Sequence, residues 1–345
     1  MAIKAWSAVT EQEARNHQNI LTKPQGSLGR LEDIACWIAS RQNQVKPSLL
    51  VPHIAVFAAD HGVTTEGISA FPSVVTTEML KNFANGGAAI NILAKRASAS
   101  LAIIDVGVMH DVSFILGVSH KKVAFGTNNL LNQAAMLESE CSQAIDVGRE
   151  EAKKAIQQGA NILIAGDMGI GNTTSSACLI CLYTNQPVEH VVGYGTGISK
   201  DTYTHKLQVV NQAIQRVKTL DSPPHHYLQE LGGLEIAAMC GFYLEAASQG
   251  VPVIIDGFIA SAAALAAQQL EPEISQWMLA SHVSQEQGHI LALNKLNLKP
   301  LLDFNMRLGE GSGAALILPL LQSAIALHNN MATFESADIS GKDVI

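Results

Sequence analysis

The chain has little charge: 15% of its 345 residues are Asp, Glu, Lys or Arg, and their balance is −8. A sparse, acidic composition argues against a nucleic-acid or anionic-membrane surface, which needs clustered Lys and Arg. Lys121–Lys122 and Lys153–Lys154 are isolated pairs and make no basic stripe. No uninterrupted apolar run reaches the ~18 residues of a membrane span. The nearest, residues 311–327, is broken by Ser312, Pro319 and Gln322. The five cysteines are odd in number, and Cys178-x-x-Cys181 has no second pair. A zinc site takes four ligands and a redox pair usually opens a helix, so buried thiols on one helix face are expected. The first residues lack a secretory apolar core, which makes a cytoplasmic location the expectation. No G-x-S-x-G elbow is present, so covalent acyl chemistry has no support.

What the chain does have is apolar residues, 48%, and 27 glycines. That balance suits tight helix–sheet packing. Residues 1 to about 45 mix polar and apolar positions at helical spacing, with a Pro/Gly break at 23–30 before a second helix at 31–41. A linker follows at 46–52. Short β-branched runs then alternate with Ala-rich stretches, the runs being 53–58, 101–104, 161–165, 190–192 and 251–255. This predicts an α/β fold: a mostly parallel sheet with helices on both faces. Asp60, Asp105, Asp167 and Asp256, with many glycines, fall at strand C-terminal ends, the edge where open α/β sheets bind ligands. Past Ser281 the pattern reads as helical again.

Residues 162–176 (ILIAGDMGIGNTTSS) read as strand, glycine loop and helix start. Gly169, Gly171 and the hydroxyls of Thr173, Thr174 and Ser175 suit either a phosphate cradle or a tight turn. No Lys follows the second glycine, which excludes a Walker A loop. Thr174 stands where a dinucleotide fingerprint has its third glycine, and the ribose-binding acid expected about 20 residues on is missing. That weighs against a nicotinamide-dinucleotide oxidoreductase. A second glycine loop at 192–199 and Lys206 beyond it strengthen the case for a mononucleotide or sugar phosphate. His61 is read either as an acid/base group or as a structural histidine. His282, Glu286 and His289 have the i, i+4, i+7 spacing of one helix face, but no fourth metal ligand is evident. Glu310 sits between glycines in 306–313 (MRLGEGSG), ahead of the apolar run 314–321. Near a helix N-terminus, dipoles favour its ionised form and dry surroundings its protonated form. It is therefore either a general base or a charge that stabilises the helix.

Nine stretches in order resemble the nicotinate-nucleotide–dimethylbenzimidazole phosphoribosyltransferase family. They are KPQGSLGRLE at 23–32, AADHGV at 58–63, GGAAIN at 86–91, IDVGV at 104–108, GDMGIGNTT at 166–174, GGLEIAAMCG at 232–241, DGFI at 256–259, SHVSQEQG at 281–288 and MRLGEGSGAAL at 306–316. The resemblance implies a Rossmann-like domain (48–305), a small helical domain from both chain ends (1–47 and 306–345) and a homodimer. It implies transfer of the ribose 5-phosphate of nicotinate mononucleotide to 5,6-dimethylbenzimidazole or a related base, giving alpha-ribazole phosphate and nicotinate in cobalamin nucleotide-loop assembly. Glu310 matches the catalytic base. Asp167 is a second catalytic position, where many members carry the longer Glu. Gly169, Gly171, Asn172, Thr173, Gly195, Thr196, Lys206 and Ser284 match positions around the ribose phosphate. Phe71, Met79, Met168 and Leu308 match the base pocket. No metal and no cofactor are expected. A non-enzymatic nucleotide sensor using the same loops is the other reading that the residues leave open.

Overall fold

Strand β1 (Pro52–Ala59) is buried along its whole length in the computed structural model, which describes residues 3–195, 197–220 and 223–340. Its alternating side chains feed two cores. Ala55, Phe57 and Ala59 join one apolar cluster, and Ile54, Val56 and Ala58 join the other. Period-two alternation with both faces apolar is the signature of a central parallel strand.

The chain begins with α1 (Ala8–Ile20) and α2 (Arg30–Gln42), then β1, α3 (Val74–Ala84), α4 (Ala89–Arg96), β2 (Ser100–Gly107) and β3 (Val118–His120). It continues with α5 (Glu138–Gln157), β4 (Ile162–Met168), α6 (Asn172–Thr184), α7 (Val188–Val191), α8 (Lys200–Thr219) and α9 (Tyr227–Leu231). The last part holds α10 (Leu234–Gln249), β5 (Val253–Ile255), α11 (Phe258–Leu270), β6 (Met278–Ala280), β7 (His282–Ser284), α12 (His289–Lys295), β8 (Leu302–Met306) and α13 (Ser312–Asn330). Six strands form one sheet in the order β3-β2-β1-β4-β5-β6, with every pairing parallel. The order reverses between β1 and β4, and that switch point is where such sheets open a crevice at their carboxyl ends. Helices α5, α6, α10 and α11 cover one face, while α2, α4 and α13 pack on the other. The chain ends meet: Leu21 pairs with Thr333, and His17 Nε2 lies 2.9 Å from the His328 carbonyl.

Two expectations need correction. Residues 190–192 are no strand. Pro187 opens a helical turn there, closed by the Val192 amide on the Val188 carbonyl at 3.0 Å, and Val191 and Val192 still bury in the core. Burial of β-branched residues does not require a strand, and sequence periodicity over three residues cannot separate the two. Past Ser281 the chain is not simply helical either, since β7 and β8 form a two-stranded parallel sheet before α13.

Helix α10 is apolar nearly all round and buried, and it meets α5 backbone to backbone. A Cβ on Gly241 would lie 1.9 Å from the Ile145 carbonyl oxygen, and one on Gly148 would lie 1.7 Å from that of Ala238. Neither carbonyl can move without breaking its own helix. Gly241→Ala should therefore destabilise the chain by about 1–3 kcal/mol through overpacking. A urea midpoint equal to that of the native chain would contradict this contact.

Candidate active site

The loop after β4 builds the floor of the crevice. Gly169 is required, because a Cβ there would lie 2.4 Å from the Ala59 carbonyl oxygen of β1. Gly171 has φ of 97° and turns the chain into α6, whose first residue is Asn172. The Ile170 amide donates to Thr76 Oγ1 at 3.2 Å, which ties the loop to α3. Above the loop, Lys206 reaches in from α8, almost wholly buried, and its Nζ donates to Thr173 Oγ1 at 2.9 Å. Burial lowers the Lys206 pKa to about 8, against a raising influence from Glu286. Gly169, Gly171, Thr173, Gly195 and Lys206 line a small cavity of about 30 Å³. A helix start behind a glycine turn, with hydroxyls and one buried cation, is an anion cradle.

This cradle shares Gly169, Asn172, Thr173 and Gly195 with a cavity of about 380 Å³. The larger cavity is also lined by Phe71, Met79, Met168, Leu308, Ser284, Asp167 and Glu310. Phe71 and Leu308 are exposed at its mouth, whereas Met79 and Met168 are half-buried in its wall. The volume and apolar wall suit a flat aromatic ring.

Glu310 lies just ahead of α13, within a turn in which Gly309, Glu310 and Gly311 all have positive φ, 86°, 62° and 82°. The turn rests on β4: a Cβ at Gly166 would lie 2.3 Å from the Glu310 carbonyl oxygen. The Glu310 carboxylate accepts the Ile90 amide, in the first turn of α4, at 3.2 Å. Burial raises its pKa, the Ile90 amide opposes that, and Asp256 adds to the rise. Asp167 accepts from Asn172 Nδ2 at 3.0 Å and is buried. Its pKa climbs to about 8, chiefly through burial and then through Asp256 and Glu235, with a smaller contribution from Glu310. At neutral pH this carboxyl carries its proton, so it can donate a hydrogen bond but not take a proton.

Of the four strand-end acids, only Asp167 lines the cavity. Asp256 lies behind it and accepts the Ala314 amide in the first turn of α13 at 2.9 Å. Asp60 and Asp105 hold the backbone after β2, through the Met109 and Val108 amides at 2.8 and 2.9 Å. His61 is wholly buried under the glycine loop, 2.6 Å from Glu235 Oε1, and lines neither cavity. The structural reading of that histidine is the correct one. His282, Glu286 and His289 are not on one helix face: His282 is in β7, and His289 starts α12 and accepts the Ser284 amide. Among the described residues no group of three or more His, Cys, Asp or Glu could hold a metal. Thr196 lies outside the described residues. Sequence reasoning missed Glu286 and Arg307 as cavity residues. A carboxylate in a loop and an arginine ahead of a glycine turn carry no local signal of facing a crevice.

The site has the parts of an enzyme that holds a phosphate at one end and an aromatic ring at the other. A family model described as phosphoribosyltransferase matches residues 3–339, and the chain belongs to that family. Its relatives include the nicotinate-nucleotide–dimethylbenzimidazole phosphoribosyltransferase of Chromobacterium violaceum, 56% identical over 95% of each chain. The enzyme of that name from Pseudomonas aeruginosa is 45% identical over 95% of this chain and 94% of its own. A crystal structure of the enzyme of that name from Thermus thermophilus matches with a TM-score of 0.92 at 41% identity, covering 97% of this chain and 100% of the other.

The raised Asp167 pKa is directly measurable. Carbon-13 NMR of the labelled carboxyl should show Asp167 titrating near pH 8. A midpoint near the ordinary aspartate value of about 4 would contradict the dry, acid-rich setting described above.

Proposed function

We propose that this chain transfers the ribose 5-phosphate of nicotinate mononucleotide to 5,6-dimethylbenzimidazole or a related base, releasing nicotinate and forming alpha-ribazole phosphate. The observation that carries the reading is the pairing of a buried carboxylate, Glu310, with the apolar cavity on one side and a cationic cradle on the other. Lys206, Thr173 and the loop amides would anchor the 5-phosphate, with Gly195 and Ser284 closing the cradle. Anchoring a remote phosphate fixes the anomeric carbon, so that binding energy serves the chemistry.

In the reaction the bond from the anomeric carbon to the pyridinium nitrogen breaks, and its electron pair leaves with nicotinate as a neutral ring nitrogen. The base nitrogen supplies the pair for the new bond on the opposite face, inverting that carbon. The N–H proton on the ring's other nitrogen goes to Glu310, which burial makes a stronger base than an exposed glutamate. Protonated Asp167 would donate a hydrogen bond to the sugar or the ring, the shorter side chain reaching less far than a glutamate. Phe71, Met79, Met168 and Leu308 would sandwich the acceptor ring. No pyrophosphate departs, so the usual reason for a divalent ion in phosphoribosyl transfer is absent.

The chain is further proposed to divide into a 48–305 body and a small helical unit of 1–47 and 306–345, a reading supported by the contacts between α1 and α2 and between α2 and α13. A homodimer is proposed, with support from the exposed Phe114, Leu116 and Phe125, and a cytoplasmic setting, with support from five buried, unbridged cysteines.

Glu310→Gln tests the assignment. It should leave nicotinate mononucleotide binding near normal while lowering kcat by about 10²–10⁴-fold, the range for loss of a general base. Turnover within a few fold of the native chain would remove Glu310 from that role.

A further inference from the structure

Glu286 is a carboxylate in a place that should repel the substrate. It is nine-tenths buried at 9% exposure, and it lines the cavity beside the phosphate cradle. Its Oε2 is enclosed and has no hydrogen-bond partner among the described residues. Gly193 makes its position possible, since a Cβ there would lie 2.2 Å from that oxygen. Two residues on, a Cβ at Gly195 would lie 3.5 Å from Lys206 Nζ and 3.3 Å from Thr173 Oγ1. The 193–195 segment thus touches both groups, with Glu286 against its first glycine and Lys206 against its last.

The remaining groups that face the pair are few. Arg307, exposed at the cavity rim after β8, and the Gly195 amide both favour the charged form of Glu286, as Lys206 does, against the effect of burial. The Ser284 hydroxyl accepts the Glu286 backbone amide at 3.3 Å. From α6, Cys178 faces Lys206, but burial raises its thiol pKa and keeps it neutral. Among the described residues, Glu286 is therefore the carboxylate that acts on Lys206 across the cradle.

We propose that Glu286 is a positioning residue for the phosphate: it serves as the internal counter-ion that keeps Lys206 protonated in the empty cradle. A lysine desolvated this fully would otherwise shed its proton near neutral pH and present no charge to an incoming anion. The proposal rests on the phosphate assignment of the cradle made above. Its sign follows from Lys206. Anion affinity supplied by that ammonium is present below its pKa and lost above it. Removing the Glu286 charge lowers that pKa further and moves the loss to lower pH. At acidic pH, where Lys206 is charged in either case, removing a carboxylate from the cradle leaves affinity equal or better.

Calorimetric titration of inorganic phosphate and of nicotinate mononucleotide from pH 6 to pH 9 tests this in the native chain, Glu286→Gln and Glu286→Asp. The Gln variant should match or exceed the native affinity at pH 6. Its decline should come about one pH unit earlier, so that it binds about fivefold more weakly at pH 8. The Asp variant should keep the native midpoint, and in a Lys206→Met background Glu286→Gln should no longer move the curve. A uniform loss at every pH would overturn the proposal, since that is the signature of a hydrogen bond to the ribose. An unchanged curve would overturn it too. Phosphate binding that follows the predicted curves without any nicotinate mononucleotide binding would retain Glu286's role and reject the substrate assignment instead.

Discussion

The site depends on one backbone contact, the Glu310 turn lying directly on Gly166 in the middle of β4. No side chain fits between them, because the carbonyl carbon of Glu310 and the Gly311 nitrogen lie 2.4 and 2.7 Å from where a Cβ would be. The turn needs three consecutive left-handed residues, and a non-glycine there costs roughly 1–2 kcal/mol. The cost falls on the one residue whose side chain the proposed chemistry uses, a common location for retained strain. Because β4 ends in Gly166, Asp167 and Met168 and runs directly into Gly169, a single strand end supports the base turn, the buried acid, the ring wall and the phosphate loop.

Charge is distributed along the cavity in a way that follows from this arrangement. Asp167, Asp256 and Glu310 crowd the β4–β5 end, and in a dry space they cannot all ionise. Asp167 takes the proton because burial is joined there by two acids, Asp256 and Glu235, with only the Asn172 amide in opposition. Glu310 has the Ile90 amide to offset its burial, and Asp256 has the amides of α13 together with His282. One acid is thus left as an available base at the ring end. The opposite end is served by Lys206, whose charge is itself precarious. Separation of the two ends lets one crevice hold an anion and remove a proton without the groups neutralising each other.

The fold was legible where the sequence carries period or punctuation. Four of the five expected runs are strands of the sheet, because continuous apolar residues between glycine-rich turns have few other stable arrangements. The fifth, at 190–192, failed because Pro187 starts a helical turn that buries the same valines. Strands β6 and β7 have only three residues each, too short for any periodicity. In the site, Gly169, Gly171 and Glu310 stood out because their neighbours demanded special backbone. The surroundings of His61 and Glu286 did not show, since a histidine under a loop and a carboxylate near a lysine beside a glycine segment are products of tertiary packing. The sequence left Glu310 as either a general base or a charge at the start of α13, and tertiary packing adds the α4 amide that its carboxylate accepts.

Nicotinate mononucleotide and 5,6-dimethylbenzimidazole should be incubated with the intact chain and the products followed by proton and phosphorus NMR. The expected result is one equivalent of nicotinate for each equivalent of α-configured ribotide, with no free ribose 5-phosphate. Nicotinate released together with free ribose 5-phosphate, or no consumption of the base at all, would contradict it.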